Sequence, residues 1–279
     1  MHRLVIQAPE IATQDLKQLA RLSDAHQIEA ISQRAFKLHG AHIGNEEAVA
    51  DFCESNQLDF AFIPEELGVR DIGLVVMDMD STLITIECID EIADMVGIKP
   101  QVAEITAAAM RGELDFRESL TRRVALLAGL EESALQRVYD ERLHLMAGAE
   151  EMLAGFQSAG ATTLLISGGF TFFTDKLQSR LALSRTIANV LEIEGGKLTG
   201  HVNGDIVDAE RKKSELIALR ESLGLRRDQV VAMGDGANDL PMLHEAGFGV
   251  ACHAKPKVQA EAPYCINRVG LEGVLNYFR

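Results

Sequence analysis

Long hydrophobic runs are missing from this 279-residue sequence. Its apolar stretches are short, Leu74-Val75-Val76-Met77 being typical, well below the roughly 20 residues of a membrane-spanning helix. The opening residues, MHRLVIQAPEIATQD, lack the apolar centre and small-residue cleavage site of a secretion signal. Paired cysteines are missing as well. Cys53, Cys88, Cys252 and Cys265 are scattered with no CxxC, which points to reduced thiols and away from a disulfide frame or a zinc site. No internal repeat and no low-complexity tract is present. Positive charge is scarce: 27 Lys and Arg against 42 Asp and Glu leave a net charge of −15. That balance disfavours nucleic acid and anionic membranes as partners. The absences leave a cytoplasmic enzyme as the expectation, with acidity suited to holding a divalent cation.

At roughly 150 residues per domain the length suggests about two domains. Hydrophobic residues at 47% and charged residues at 25% are ordinary for a globular chain with a real core. Three textures follow one another. Residues 1–70 mix a β-rich piece (4–8), a helical spacing (14–22) and an alternating piece (59–64), as in a small α+β domain. Residues 86–150 are rich in helix formers, as in SLTRRVALLAGL. Between and after them, GLVVMDMD (73–80), TTLLIS (162–167), QVVAMGD (229–235) and GFGVAC (247–252) are apolar runs separated by helical segments. Such runs fit strands buried on both faces of a parallel sheet. The expected architecture is α/β: a parallel core from 71–85 and 151–279, with 86–150 inserted as a helical cap.

Ligands of open parallel sheets collect beyond the carboxyl ends of the strands, so the chemistry is expected at those ends. The first run ends in Asp78-Met79-Asp80-Ser81-Thr82. With 42 acidic residues, a D/E-x-D/E pair should occur about six times by chance, so the pair alone says little. Two carboxylates leaving an apolar strand are another matter, because they call for a compensating cation or a shared proton. The second run ends in Ser167-Gly168-Gly169-Phe170, where small residues at a helix start leave N–H groups open to an anion. The third ends in Gly234-Asp235-Gly236-Ala237-Asn238-Asp239, and an Asx turn explains one of its acids but not the cluster. Upstream lies Arg211-Lys212-Lys213. Acidic oxygens suit Mg²⁺, and exposed N–H groups with a lysine suit a phosphate. Neither a GxxxxGK[ST] loop nor a G-x-S-x-G elbow is present.

DMDST, SGGF, a lysine and GDGAND, in that order, resemble the haloacid dehalogenase superfamily. The longer stretches DMDSTLITIECIDEIA, SLTRRVALLAGL, GGKLTG and GDGANDLPML resemble its bacterial phosphoserine phosphatase branch over about 75–275. The resemblance implies a Rossmann-like core and hydrolysis of O-phospho-L-serine, the last step of serine biosynthesis. It implies one Mg²⁺ per site, held by the side chains of Asp78 and Asp235 and the carbonyl of Asp80. It casts Asp78 as nucleophile and Asp80 as general acid and base. Ser167 and the Gly168 backbone would bind phosphate, with Asn238 and Asp239 in support. Of the two adjacent lysines, the spacing to GDG selects Lys213 as the one that steadies nucleophile and phosphate. Glu87 would meet the substrate's amino group and Arg123 its carboxylate.

Periodicity supports Arg123 separately. On a helix over 116–127, Phe116, Leu120, Val124 and Leu127 form one stripe, Arg123 borders it, and Arg122 points away. Glu87 has no such support. Three readings remain beside phosphoserine hydrolysis: another small phosphate ester, transfer to an acceptor such as homoserine, or a non-catalytic amino-acid sensor. Residues 1–70 loosely resemble small regulatory domains of the ACT type. Their apolar faces leave two partners open, the core or a second copy of the chain in a homodimer.

Overall fold

The computed structural model describes all 279 residues. The chain opens with β1 (His2–Gln7), α1 (Thr13–Leu22), β2 (Gln27–Ser32), β3 (Ala35–Ala41), α2 (Glu46–Ser55) and β4 (Asp59–Pro64). Next come β5 (Leu74–Met77) and four helices: α3 (Cys88–Met95), α4 (Lys99–Met110), α5 (Phe116–Ala125) and α6 (Ser133–Glu141). Then follow α7 (Ala149–Ser158), β6 (Thr162–Phe170), α8 (Thr171–Leu181), β7 (Arg185–Glu194), β8 (Lys197–Asn203) and α9 (Ala209–Ser222). The chain closes with β9 (Val230–Gly234), α10 (Leu240–Glu245), β10 (Phe248–Cys252), α11 (Pro256–Glu261), β11 (Tyr264–Ile266) and α12 (Glu272–Asn276). No helix is long and apolar enough to cross a membrane. Contacts divide the chain into two compact units. One comprises Met1–Val75, Ala147–Thr162 and Arg220–Arg279; the other comprises Val76–Met146 and Thr163–Leu219.

In the first unit, the N-terminal residues form an antiparallel sheet of order β2-β3-β1-β4, with Ile6 opposite Phe36 on one side and Phe60 on the other. The central strand β1 is apolar on both faces because both are covered. Leu4 and Ile6 pack with Leu16, Leu19, Val49 and Cys53 of α1 and α2. The alternate residues meet the C-terminus of the chain. Arg3 donates to the Tyr277 carbonyl at 2.7 Å, and Gln7 bonds to Gly273 and Asn276, both at 3.0 Å. Asp59, at the start of β4, accepts the amides of Asn267, Arg268 and Val269. The core is thus the partner of this sheet face. In the same unit β9, β10 and β11 run parallel, and every residue of β9 and β10 is buried, as continuous apolar runs require.

The second unit carries the inserted helices. Leu120 and Val124 of α5 are buried, and so is Leu127 two residues past its end, short of which the helix expected over 116–127 stops; Arg122 is exposed and pairs with Glu118. Asp115 caps this helix, its Oδ1 accepting the Glu118 amide at 2.8 Å. Ile89 and Ile92 of α3, Val102 of α4, and Leu135 and Val138 of α6 are buried too. β6 and β7 pair in parallel, and β7 returns as an antiparallel hairpin with β8. Its two-residue turn, Gly195-Gly196, has φ of 57° and 78°, a left-handed geometry that glycine adopts without strain.

Candidate active site

Asp78 follows the last residue of β5, a strand with no exposed residue. Its carboxylate is itself buried, and Oδ1 accepts two bonds: the Met79 amide at 2.8 Å and the Lys212 ammonium at 2.8 Å. Lys212 is only 1% exposed. A lysine so buried calls for a facing carboxylate, and Asp78 supplies it. The sequence-based assignment to Lys213 is therefore corrected: α9 turns Lys212 inward, and Lys213 stays half-buried outside the pair. Adjacent helical residues differ by about 100° in direction, so only one of them can reach Asp78.

Asp80 lies two residues on, past the strand end. Its Oδ1 accepts the Cys88 amide at 3.0 Å. On its other side is Gly169, where a Cβ would stand 2.8 Å from Asp80 Oδ2 and 3.1 Å from Ser167 Oγ. A side chain there would have to push aside the ends of Asp80 and Met79. Burial, then the charge of Glu87, pushes the Asp80 carboxyl up to about 7, against the Cys88 hydrogen bonds and Lys212. A carboxylic acid in that range can both give and take a proton near neutrality.

Ser167 is buried, and its Oγ accepts the Gly169 amide at 2.8 Å. The segment through Phe170 stays extended, and α8 begins only at Thr171, so the open amides expected at a helix start are those of an extended turn instead. Sequence reasoning missed the residue that fixes this turn. Asn189, buried in β7, donates from Nδ2 to the Gly168 carbonyl at 2.8 Å and accepts the Val207 amide at 2.9 Å. The available signal was an amide amid the apolar positions of β7.

Glu87 immediately precedes α3, and Ser81 Oγ donates to its Oε1 at 2.7 Å. One edge of Glu87 is open to solvent, while crowding by protein and the charge of Asp90 raise its pKa. Arg123 is half-buried on α5, with Nε donating to the Ser119 carbonyl at 3.4 Å. Desolvation lowers its pKa, and Asp90, Glu87 and Asp80 push it back up. The second unit thus gathers Asp78, Asp80, Ser167, Gly168 and Lys212, with Glu87 and Arg123 in electrostatic reach of Asp80.

The first unit holds Asp235, Asn238 and Asp239 in the turn between β9 and α10. Asp239 is fully buried, and its Oδ2 accepts the Gly236 amide at 3.1 Å, so this acid is the turn-former. A Cβ on Gly234 would stand 2.4 Å from the Asp239 carboxyl carbon, which makes glycine obligatory there. Asp235 remains partly exposed beside it.

The haloacid dehalogenase-like hydrolase model matches residues 75–244, more than half of the chain and all four motif regions. The chain belongs to the haloacid dehalogenase-like hydrolases. A model of a domain of unknown function, DUF4072, matches residues 4–49. A curated phosphoserine phosphatase from Polaromonas sp. is 50% identical over 215 residues, 75% of this chain and 91% of that protein. The structure of a haloacid dehalogenase family hydrolase from Salmonella enterica serovar Typhi covers 100% of this chain and 99% of its own, with TM-score 0.91 and 32% identity. A phosphoserine phosphatase solved as a phospho-aspartyl intermediate analogue covers 75% of this chain and 99% of its own, with TM-score 0.69 and 36% identity. These neighbours establish the haloacid dehalogenase fold and a phosphatase as the enzyme class.

Proposed function

We propose that this haloacid dehalogenase hydrolase converts O-phospho-L-serine and water to L-serine and phosphate, the closing step of serine biosynthesis. The observation that carries the reading is the buried Asp78–Lys212 pair with a protonatable Asp80 two residues away. A carboxylate oxygen of Asp78 attacks phosphorus, and the bond from phosphorus to the serine oxygen breaks. Asp80 gives its proton to that oxygen. Asp80 then takes a proton from the water that attacks the aspartyl-phosphate, and the bond from phosphorus to Asp78 breaks. Two displacements replace one difficult one. Lys212 offsets the repulsion between an anionic nucleophile and an anionic ester.

Carboxylate and carbonyl oxygens make up the whole donor set proposed for a metal, namely Asp78, the Asp80 carbonyl and Asp235, with Asn238 and Asp239 in support. An all-oxygen set fits Mg²⁺ and not a softer ion. When bound, Mg²⁺ would supply positive charge at the phosphate oxygens. Ser167 Oγ and the Gly168 backbone hold the phosphate, Glu87 the ammonium and Arg123 the carboxylate of the amino acid.

The test is phosphate release from O-phospho-L-serine against a panel of phosphate esters, with Mg²⁺ and with EDTA, adding homoserine as acceptor. The reading expects phosphoserine to lead the panel, EDTA to stop it, and homoserine to capture no phosphate. Preference for another ester replaces the substrate, and phosphohomoserine replaces hydrolysis by transfer.

A further inference from the structure

Between the two carboxylates of the motif and α3, the chain closes a small loop on itself. Ser81 adopts φ 53° and ψ 3°, a left-handed backbone that side-chain-bearing residues enter at a cost and glycine enters freely. A plain turn here would favour glycine or asparagine, so serine needs another justification. Its two donors supply one. The Ser81 amide donates to the Ile86 carbonyl at 3.2 Å, and its hydroxyl donates to Glu87 Oε1 at 2.7 Å. The adjoining Cys88 amide is already committed to Asp80 Oδ1.

Glu87 is well placed to be steered. Its backbone is extended at φ −97° and ψ 106°, and its side chain makes no capping bond to α3. The carboxylate that fronts the helix is therefore aimed by Ser81 rather than by the helix. Asp80 and Arg123 are its electrostatic neighbours, so a small rotation of Glu87 would change which charge it meets.

We propose that Ser81 is a positioning residue. Its left-handed turn holds the Glu87 carboxylate where a substrate ammonium binds, and so selects an amino-acid phosphate over a plain phosphate monoester. The inference rests on the proposed contact between Glu87 and the amino group. It assigns no proton transfer and no covalent step to Ser81.

Ser81→Gly is the clean variant, because it deletes the hydroxyl while keeping the left-handed backbone unstrained. Steady-state kinetics on O-phospho-L-serine and p-nitrophenyl phosphate, which has no ammonium, would be compared for wild type, Ser81→Gly, Glu87→Gln and the double variant. Loss of one hydrogen bond to a charged group should lower the phosphoserine-to-nitrophenyl ratio of kcat/KM about tenfold. The loss should lie in KM for phosphoserine and not in kcat. In the Glu87→Gln background, Ser81→Gly should add almost nothing. Equal losses on both esters, a loss confined to kcat, or a loss that persists in the Glu87→Gln background would overturn the proposal. If Glu87→Gln lowers the ratio and Ser81→Gly does not, the proposal fails while the Glu87 contact stands. If Glu87→Gln leaves the ratio unchanged, the contact itself is wrong and the proposal falls with it.

Discussion

Lys212 Nζ lies 2.8 Å from Asp78 Oδ1, with the lysine 1% exposed and the aspartate 6%. Breaking a pair this deeply buried strands a charge, which costs about 3–5 kcal/mol. Lys212→Ala should therefore lose both stability, by roughly that amount, and phosphatase activity, by roughly 10²–10³-fold as for a lost electrostatic stabiliser. Lys213→Ala should melt within about 0.5 kcal/mol of wild type, as surface changes do. Denaturant titration and phosphate release on both variants check this. A dead Lys213 variant beside an active Lys212 variant would reverse the assignment.

Asp78→Asn keeps the shape and an acceptor for the Met79 amide, but an amide oxygen is a poor nucleophile. Turnover should fall at least about 10³-fold, the scale of a removed nucleophile. Far-ultraviolet circular dichroism should stay that of wild type. Acid-quenched wild-type enzyme fed ³²P-labelled substrate should carry label on Asp78, and the variant should carry none. Label elsewhere on the chain would move the nucleophile.

The ends of β5 and β9 were legible because their apolar runs stop at or just before Asp78 and Asp235, whereas β6 runs on through Phe170, past the Ser167 at which its apolar run stops. The cap helix α5 was legible because Leu120, Val124 and Leu127 repeat at helical spacing. The lysine was not, and α9 shows why. Leu216 and Ile217 are both apolar, so a buried face centred on Lys212 and one centred on Lys213 fit the pattern almost equally. Only the packed helix separates them, with Lys212 and Leu216 buried and Lys213 and Ile217 half-buried. β2, β3 and the β7–β8 hairpin were also missed. β2 is exposed along most of its length, so no buried face imposes an alternation on QIEAIS. Ser81 acts through a hydrogen bond to a residue bent back by a turn, which no single-residue pattern records, while the place of Asn189 among apolar residues marks it as unusual without naming its distant partners.

The N-terminal sheet should be energetically part of the core. The Asp59 carboxylate is 5% exposed, and its pKa is raised by burial, against the bonds from the Arg268, Asn267 and Val269 amides. Asp59→Ala takes the acceptor from three amides, of which that of Val269 is buried and those of Asn267 and Arg268 partly so, a loss of about 1–3 kcal/mol for a buried group left unsatisfied. Arg3→Ala frees carbonyls of Pro64, Glu65, Leu67 and Tyr277 and should cost a comparable amount. Both variants should unfold in a single transition at lower denaturant. An early, separate transition for the N-terminal residues would show instead that they fold as an independent domain.

Asp80 gives the pH dependence its sign. Its carboxyl is raised from the usual 3.8 to about 7, chiefly by burial. The folded protein therefore holds this proton more tightly than the unfolded chain does. The stability that comes from this is complete below pH 3.8 and is lost as pH rises through about 7. In metal-free buffer, urea melts of wild type should weaken between about pH 4 and 7 relative to Asp80→Asn, which has nothing to titrate at that position. Activity should follow the same group in the same direction. Departure of the serine oxygen requires protonated Asp80, so kcat/KM for phosphoserine should decline above about pH 7. Esters with a good leaving group, such as p-nitrophenyl phosphate, need no proton at that oxygen and should keep a flatter alkaline limb. A wild-type minus Asp80→Asn stability difference that stays constant across this range would mean that Asp80 titrates as an ordinary carboxylate. Parallel alkaline limbs for the two esters would separate Asp80 from proton delivery.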